Sequence, residues 1–397
     1  MRVGIFTDTY PPYINGVSTS ISMLEKALKD AGHEVFIVTV NPTNMSYNFE
    51  SDNIIRIPGI KTGIYDYRLT GIYPLRAIKI IKKWNLDVIH SHTEFGIGTF
   101  ARIIAKQLHI PLVHTYHTMY EDYVYYITKG HFDKTSKKIV RFFTKFYCDT
   151  TTQALIVPSR KTYKMFNDKY KMKKEINIIP TGMDTYRFSD EAVDHDYIKK
   201  IKKELGIGDK DFVVLSVGRV AKEKNLELLI EGFPDIVKKH KKAKLVIVGG
   251  GPDLDNLKEL AKKKKLTKNV IFTGPVLWED IANYYHLGNV FVTASNTETQ
   301  GLTLIEAMSA GLPVVCMKDE SFEDILRDNG NGFYFTKQEE YVEKILYLIE
   351  NPAILKSMHK EALLTSEMHN LSNYAKDMIE VYEIAKKRKK RRLFSKK

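Results

Sequence analysis

Two glutamates frame a stretch whose residue types could bind a charged ligand rich in hydroxyl groups. Residues 297–311 follow an apolar run and enter a predicted helix, with Glu298 in the loop and Glu306 about two turns into the helix. Free backbone amides at a helix N-terminus favour a diphosphate. Those amides belong to Gly301, Leu302 and Thr303. The two carboxylates then suit sugar hydroxyls on one side and ribose hydroxyls on the other. The alternative is an ordinary helix with an acidic first turn.

A second group of candidate residues follows the predicted strand at 212–217. Gly218 ends the strand, and Arg219 and Lys224 come next in a loop. A planar guanidinium and a point charge suit a phosphate whose negative charge grows as it leaves. A solvated loop is the alternative, since Lys and Glu are common in such loops.

Two further candidate sites lie in the first half of the chain. The turn after the first predicted strand contains Asn15, Gly16 and Val17 at the start of a helix, where Gly16 would let the backbone approach a phosphate closely. His117 follows the predicted strand at 111–115 and would serve as a hydrogen-bonding or proton-handling group. A single histidine in this position is more often structural.

Other short patterns predict less. Asp194-His195-Asp196 and Asp253-Leu254-Asp255 have the spacing of a metal–diphosphate motif, but the first falls in a predicted linker and the second begins a predicted surface helix. Gly249-Gly250-Gly251 follows a strand, yet Leu254 occupies the third glycine position of a dinucleotide fingerprint. We therefore predict no metal ligands, and no cofactor is expected to be required; magnesium is not predicted.

The elements that must position these residues alternate between strand-length apolar runs and amphipathic helices, which is typical of parallel α/β architecture. A helix is predicted from Ser18, as N-cap, to Gly32. Strands are predicted at 2–7, 34–40, 54–57, 87–90, 111–115, 154–158 and 176–180. In the second half they are predicted at 212–217, 244–249, 269–273, 289–293, 313–316 and 332–335.

This pattern predicts two doubly wound, Rossmann-like domains with a ligand cleft between them, at the carboxyl ends of both sheets. The predicted domains are 1–185 and 212–370. Residues 186–211 are the predicted linker. A C-terminal helix at 371–388 is expected to return to the first domain, and 389–397 form a basic tail.

Composition and charge narrow the class of protein. Hydrophobic residues at 43% and charged residues at 27% indicate a globular protein with a full core. Cys148 and Cys316 form no disulfide or zinc pattern, so we expect a reducing compartment. Residues 2–7 have the pattern of a strand, so no secretory leader is expected. Nine of the last twelve residues are Lys or Arg, so most of the net charge of +13 lies in this tail. The tail is expected to be disordered, and nucleic acid and an anionic membrane surface are both candidate partners for it.

Taken together, these motifs resemble the retaining GT-B glycosyltransferases related to sucrose and glycogen synthases. Asn15-Gly16-Val17, His117, Arg219 with Lys224, and Glu298 with Glu306 occur in that family's order over almost the whole chain. Within the family, the chain most resembles bacterial diacylglycerol glucosyltransferases. The supporting segments are 91–95, 116–123 and 297–303. Asn15 stands where many relatives have glycine, but the Gly16 amide is retained.

The resemblance implies a metal-independent transfer of a hexose, with glucose preferred, from a UDP-sugar to diacylglycerol with retention of configuration. In that reaction Arg219 and Lys224 would stabilise the leaving diphosphate, with the amides near Gly16, Leu302 and Thr303. Glu298 would orient the sugar and Glu306 the ribose, and His117 would contact the sugar and acceptor.

Two predicted helices are candidates for the surface that contacts the membrane and its lipid acceptor. On each helix the cationic residues and the apolar residues fall on opposite arcs. We expect the apolar arcs to pack on the sheet and the cationic arcs to contact anionic phospholipid at the cytoplasmic membrane face, as a peripheral protein. The cations are Arg76, Lys79 and Lys83 on one helix, and Lys134, Lys137, Lys138, Arg141 and Lys145 on the other. The alternatives are a soluble or polysaccharide acceptor and, more remotely, a nucleic-acid-binding protein. We predict no nucleic-acid partner, because the body of the chain lacks a recognised binding module.

Overall fold

The computed structural model describes residues 1–13, 15–61, 68–94, 96–117, 133–295 and 297–394. The side chains of 133–137, 140 and 390–394 lie outside the described part. The chain forms two compact units. The first comprises Met1–Gly182 together with Leu371–Lys397, and the second comprises Met183–Asn370.

The first unit is built on an eight-stranded sheet in the order β10-β9-β8-β7-β1-β2-β4-β3, parallel except for β3 against β4. β5 and β6 form a separate antiparallel pair. The strands are β1 Arg2–Phe6, β2 Glu34–Val40, β3 Asn48–Ser51, β4 Ile54–Ile57, β5 Gly59–Lys61, β6 Arg68–Thr70, β7 Val88–Ser91, β8 Leu112–Thr115, β9 Ala154–Val157 and β10 Ile176–Ile178.

Helices cover both faces of this sheet, because the side chains of its central strands are apolar on both faces and must be shielded from water on each. The described helices of the first unit are α1 Gly16–Asp30, α2 Leu75–Lys83, α3 Gly96–Gln107, α4 Asp133–Lys145 and α5 Arg160–Lys164. A π-helical turn, Phe146–Thr150, continues α4. Asn15, rather than Ser18, is the N-cap of α1, and it accepts a bond from the Ser18 amide. The predicted N-cap of this helix is therefore wrong by three residues, while its end at Gly32 is confirmed by the left-handed φ of 79° there.

The second unit contains a six-stranded parallel sheet in the order β13-β12-β11-β14-β15-β16. Its strands are β11 Phe212–Val217, β12 Ala243–Val248, β13 Val270–Gly274, β14 Val290–Thr293, β15 Val314–Met317 and β16 Gly332–Phe335. Its helices are α6 His195–Glu204, α7 Leu226–Lys239, α8 Leu254–Lys263, α9 Ile281–Tyr285, α10 Leu302–Ser309, α11 Gln338–Glu350 and α12 Pro352–Met368.

Each sheet has a point where the strand order reverses, and ligands bind at such points in open α/β sheets. In the first unit it lies between β1 and β7, which pair in parallel. In the second unit it lies between β11 and β14. The candidate loops after β1, β11 and β14 therefore begin at the edge where a ligand is expected.

The final helix, α13 Leu371–Phe394, belongs to the first unit. Its apolar side packs into the core beneath α1 and the sheet. The buried residues it contributes are Tyr374, Ala375, Met378, Val381, Tyr382 and Ala385. Where the chain enters and leaves the second unit, the two segments lie side by side, and the Met183 amide donates to the His369 carbonyl over 2.8 Å.

Three expectations need correction. The strands β3, β5 and β6 are absent from the prediction. Residues 186–211 are not a bare linker, since α6 lies within them and packs Ile198 and Ile201 on Leu287 of the second unit. The basic tail is helical as far as Phe394, and its residues 395–397 lie outside the described part. Within the residues described, no helix is both long and apolar enough to cross a bilayer.

Candidate functional site

The loop after β11 carries the two predicted cations of the second unit. Gly218 adopts a φ of 146°, a region that side chains rarely enter, and so turns the chain out of the sheet. Arg219 then forms an ion pair with Glu223, and Lys224 forms one with Glu298 of the loop after β14. The Lys224–Glu298 pair joins the two loops at the switch point of the sheet.

The glycine triplet after β12 shapes this cation loop, a role that the sequence did not reveal. A Cβ on Gly249 would lie 1.9 Å from the Gly218 carbonyl oxygen, and one on Gly251 would lie 2.2 Å from the Val220 oxygen. The Val220 amide donates to the Gly250 carbonyl over 2.9 Å. The triplet thus lets two strand-end loops run in backbone contact, and a side chain at Gly249 or Gly251 would push against the backbone on either side of Arg219.

The start of α10 has the geometry predicted for an anion site. Gly301 is the N-cap with a left-handed φ of 80°, and a Cβ on it would lie 2.5 Å from the Phe322 ring. No side chain caps the helix in the described part of the chain. Thr303 lines the same cleft as four of the other predicted residues: Gly218, Arg219, Lys224 and Glu298.

Glu306 lies one turn further along α10 and is buried. The Tyr285 hydroxyl donates to its Oε2 over 2.5 Å. Burial raises the pKa of Glu306, while the Tyr285 bond and the nearby Arg187 charge partly oppose that rise. Tyr285 was not identified from the sequence, because a tyrosine on a short apolar helix is indistinguishable from a core residue.

The chemistry of these residues suits a phosphorylated ligand with hydroxyl groups. Two cations and a helix N-terminus can hold a diphosphate, because both favour negative charge. The carboxylates of Glu298 and Glu306 can accept bonds from hydroxyls. In the structure Arg219 and Lys224 are each paired with a carboxylate, so an incoming phosphate would replace an existing charge partner.

The loop after β1 places the predicted residues of the first unit at the N-terminus of α1. Asn15 accepts from the Ser18 amide over 2.9 Å and donates to the Thr9 hydroxyl over 2.9 Å, which fixes the loop to the helix. Gly16 is exposed, and a Cβ on it would meet nothing within 4 Å. Val17 is half-buried in the next position. The Gly16 backbone is therefore open to a ligand.

His117 belongs to a cluster of four histidines at the carboxyl ends of β7 and β8. Its Nε2 lies 2.9 Å from Nδ1 of His92. Burial and the neighbouring His114 lower the pKa of His117 to about 4, with Glu94 acting in the opposite direction. His117 is therefore neutral near pH 7. The sequence predicted either a hydrogen-bonding or a proton-handling role for His117, and its neutral ring favours the hydrogen-bonding role.

The other members of the cluster were not singled out from the sequence. His90 bonds Tyr382 of α13 over 2.8 Å and Thr115 over 2.7 Å. His114 bonds the Ser91 carbonyl and Glu94, both over 2.9 Å. A signal was available, since histidines are uncommon at successive strand ends, but strand burial favoured a structural role.

The two Asp-x-Asp patterns have local structural roles. Asp194 is the N-cap of α6, and its side chain accepts from the amides of Asp196 and Tyr197. Asp253 precedes α8 and accepts from the Asn256 side chain over 2.7 Å.

The two basic helices differ from one another. On α2 the predicted packing of the apolar arc is confirmed, because Ala77, Ile78 and Ile81 are buried while the cations are exposed. The exposed cations are Arg76, Lys79 and Lys83. On α4 the prediction that the apolar arc packs on the sheet is wrong. Its exposed apolar side chains are Ile139 at 52%, Phe142 at 68%, Phe143 at 52% and, in the following turn, Phe146 at 45%.

The cations predicted on α4 are only partly described. Lys138 is exposed, Arg141 lies over the Tyr170 ring with its guanidinium carbon 5.6 Å from the centroid, and Lys145 is half-buried. The side chains of Lys134 and Lys137 lie outside the described residues, as do residues 118–123.

Comparison with known proteins covers both units. The family described as "Glycosyl transferases group 1" matches residues 198–384, and the family described as "Glycosyltransferase Family 4" matches residues 14–187. An alpha-monoglucosyldiacylglycerol synthase of Acholeplasma laidlawii is 36% identical over 394 residues, covering 96% of each chain. A protein of the same name from Streptococcus pneumoniae is also 36% identical, covering 96% of this chain and 85% of its own.

Solved structures share the fold. The crystal structure of Anabaena Alr3699/HepE in complex with UDP covers 96% of this chain and all of its own, with a TM-score of 0.75 at 17% identity. A complex of the same protein with UDP-glucose has a TM-score of 0.72. At this identity the likeness concerns the fold alone.

Proposed function

The chain belongs to the group 1 glycosyltransferases and has their GT-B fold, and from this premise we propose that it transfers glucose from UDP-glucose to diacylglycerol. The observation that carries the proposal is the 36% identity, over 96% of the chain, to two proteins named alpha-monoglucosyldiacylglycerol synthase. The product is an α-glucosyl diacylglycerol. The reaction takes place at the cytoplasmic membrane face.

In this reaction the acceptor hydroxyl oxygen forms a bond to the anomeric carbon while the bond from that carbon to the β-phosphate oxygen breaks. The acceptor proton passes to a leaving phosphate oxygen, so that UDP departs. Configuration is retained because the hydroxyl attacks from the face that the diphosphate leaves. Arg219 and Lys224 stabilise the charge that grows on the leaving group.

The donor-side contacts support this assignment. The diphosphate displaces Glu223 from Arg219 and Glu298 from Lys224, which frees Glu298 to accept bonds from the sugar. The amides at the start of α10 add further donors. Glu306, held by Tyr285, accepts from the ribose hydroxyls. A metal ion is not required in this scheme, because two side-chain cations already neutralise the diphosphate.

The first unit supplies the acceptor side in this proposal. His117 offers a neutral ring to the sugar and the acceptor hydroxyl, and the Gly16 backbone approaches the donor. The exposed apolar arc of α4 favours a lipid acceptor, because a monomeric soluble surface rarely gathers several large apolar side chains. Phe142 and Phe143 would enter the bilayer interface while nearby cations such as Lys138 attract anionic headgroups.

Labelled sugar nucleotides test the reaction directly. The chain is incubated with radiolabelled UDP-glucose or UDP-galactose and vesicles of anionic phospholipid containing diacylglycerol, then extracted into organic solvent. We expect label from UDP-glucose in the lipid phase. Label that remains in water as a sugar or polysaccharide product, with or without vesicles, would instead support the soluble-acceptor alternative.

The membrane contact is tested separately. We expect the double change Phe142→Ser and Phe143→Ser to reduce sedimentation with anionic vesicles by about tenfold or more, since burying a Phe contributes about 1.5–3 kcal/mol. Leu364→Ser is the matched control, because Leu364 is 62% exposed on α12 of the second unit. Unchanged binding by the double variant would exclude α4 as the membrane-inserting element.

A further inference from the structure

The hydrogen bond between His92 and His117 restricts the protonation of both rings. His92 follows β7, its backbone amide donates to the Phe6 carbonyl over 3.0 Å, and its ring is buried. The ring lies between those of His90 and His117, with centroid distances of 4.0 and 5.1 Å. His92 is therefore fixed in place by the sheet and by its neighbours.

Only two arrangements of protons satisfy the 2.9 Å bond when both rings are neutral. In the first, His92 carries its proton on Nδ1 and donates to Nε2 of His117. In the second, His117 carries its proton on Nε2 and donates to Nδ1 of His92. The arrangements differ at the remaining nitrogens. The first leaves His117 with a free Nδ1–H, and the second leaves it with a bare Nδ1.

The environment of His92 selects between them. Its Nε2 is buried and forms no hydrogen bond within the described residues. In the second arrangement this atom would carry a buried N–H with no acceptor, whereas in the first it is only an unused lone pair. Orphaned buried N–H groups are the rarer and costlier case in proteins. Burial also lowers the pKa of both rings, so a shared extra proton is disfavoured.

We propose that His92 is a positioning residue whose Nδ1–H donates to Nε2 of His117, so that His117 presents an Nδ1–H to the substrate. His117 is then a hydrogen-bond donor and not a general base. This inference rests on the proposed function for the identity of the substrate, a sugar or acceptor hydroxyl oxygen. Among the described residues Nδ1 of His117 has no protein partner, so it is available to a ligand.

The neighbouring histidines do not share this role. His90 has partners at both ring nitrogens, Tyr382 and Thr115, and His114 likewise has Ser91 and Glu94. Their protons are assigned to bonds within the unit. In this described cluster, the bond between His92 and His117 is the one that sets the protonation of an atom with no protein partner, Nδ1 of His117.

Nuclear magnetic resonance of the histidine-labelled full chain tests the tautomer without any substrate. Long-range proton–nitrogen correlations distinguish a protonated ring nitrogen from a bare one. We expect both His92 and His117 to be protonated at Nδ1, with peaks assigned through His92→Asn and His117→Asn. A proton on Nε2 of His117 would overturn the proposal.

Two matched pairs of variants test the consequence for turnover. An Asn amide takes the place of Nδ1 and a Gln amide that of Nε2, so His117→Asn should retain about tenfold more kcat than His117→Gln. His92→Asn should likewise retain activity that His92→Leu loses, with KM for the donor nearly unchanged. Melting temperatures identify variants that merely unfold.

Equal activity of His117→Asn and His117→Gln, or full activity of His92→Leu, would overturn the positioning role. Failure of the proposed function has a different signature. In that case the wild-type chain makes no glucolipid at all, while the magnetic resonance result still decides the tautomer.

Discussion

At the strand ends of the first unit, three buried histidines and the half-buried His117 hold neutral rings in fixed hydrogen bonds, whereas the second unit places Arg219, Lys224 and Glu298 in loops after its strands as ion pairs. Burial suits the first arrangement, because desolvation disfavours a charged imidazole. Partial exposure suits the second, because a charged pair can exchange its partner for a ligand's phosphate. A sheet of the same type therefore supports two kinds of site, one specified by hydrogen-bond direction and the other by charge.

Removing a cation should cause the largest effect. At the proposed donor site, Arg219→Ala is expected to lower kcat by about 100- to 1000-fold, or ~2.7–4 kcal/mol, because Arg219 would no longer stabilise the leaving diphosphate. Initial rates with UDP-glucose and lipid vesicles measure it. Lys222→Ala is the control, since Lys222 is an exposed cation on the same loop. An Arg219→Ala enzyme as active as the control would remove Arg219 from the mechanism.

The next largest effect is expected from acid, which should lower the stability of the first unit more than that of the second. The pKa of each of His90, His92, His114 and His117 is lowered by burial, so below pH ~6.5 the unfolded chain binds protons that the folded first unit does not. Stability then falls as the pH drops, by about 1.4 kcal/mol per pH unit for each histidine. For His117 this loss continues to about pH 4.

The two tryptophans make this measurable, because Trp84 lies in the first unit and Trp278 in the second. Urea unfolding of Trp278→Phe reports the first unit, and that of Trp84→Phe reports the second. Burial lowers the pKa of His286 and His369 in the second unit, so its loss with acid should be smaller. Equal pH dependence in the two variants would contradict the contrast between the units.

A smaller effect should follow from Tyr285→Phe, which removes the hydroxyl that donates to Glu306. The pKa of Glu306 then rises further, so less carboxylate is present at a given pH. UDP affinity should fall by about 1.5 kcal/mol, and more at pH ~6 than at pH ~8. Calorimetry measures it, with Tyr284→Phe as the half-buried neighbour control. A pH-independent loss would show that Tyr285 acts by packing alone.

The smallest effect is expected from Glu223→Gln. It releases Arg219 from a partly exposed ion pair within the same loop, and exposed ion pairs contribute about 0.2–1 kcal/mol. UDP should therefore bind slightly more tightly, by no more than about fivefold at low salt. Weaker binding in a calorimetric titration would mean that Glu223 orients Arg219 and does not compete for it.

Much of this fold follows from local pattern. All thirteen predicted strands are present, because an apolar run of four to seven residues flanked by turns has few other uses in an α/β protein. The missed strands lack such a run. β3 is fully exposed, and β5 and β6 pair with each other outside the main sheet as three-residue strands. Their pairing depends on tertiary neighbours that no short window of sequence contains.

The placement of the candidate residues was predictable where charge marked a strand end, as at Arg219, or where glycine marked a helix start, as at Gly301. It was not predictable where the role depends on a distant neighbour. His92 matters through His117, 25 residues later, and Gly249 matters through the carbonyl of Gly218. The exposed apolar arc of α4 was missed for the same reason, because a helical period shows which residues share a face but not what covers it.

The return of the chain to its first unit has a consequence for the order of synthesis. Six core residues of that unit, from Tyr374 to Ala385, leave the ribosome only after the whole second unit. Domains usually fold in the order in which they are made. In this chain the sequence of the second unit is complete before that of the first. Until α13 is synthesised, α1 and the sheet of the first unit therefore remain partly uncovered. A nascent chain halted before Leu371 should therefore contain a completed second unit and an incompletely packed first unit, which we expect to bind chaperones and to be cleaved by proteases.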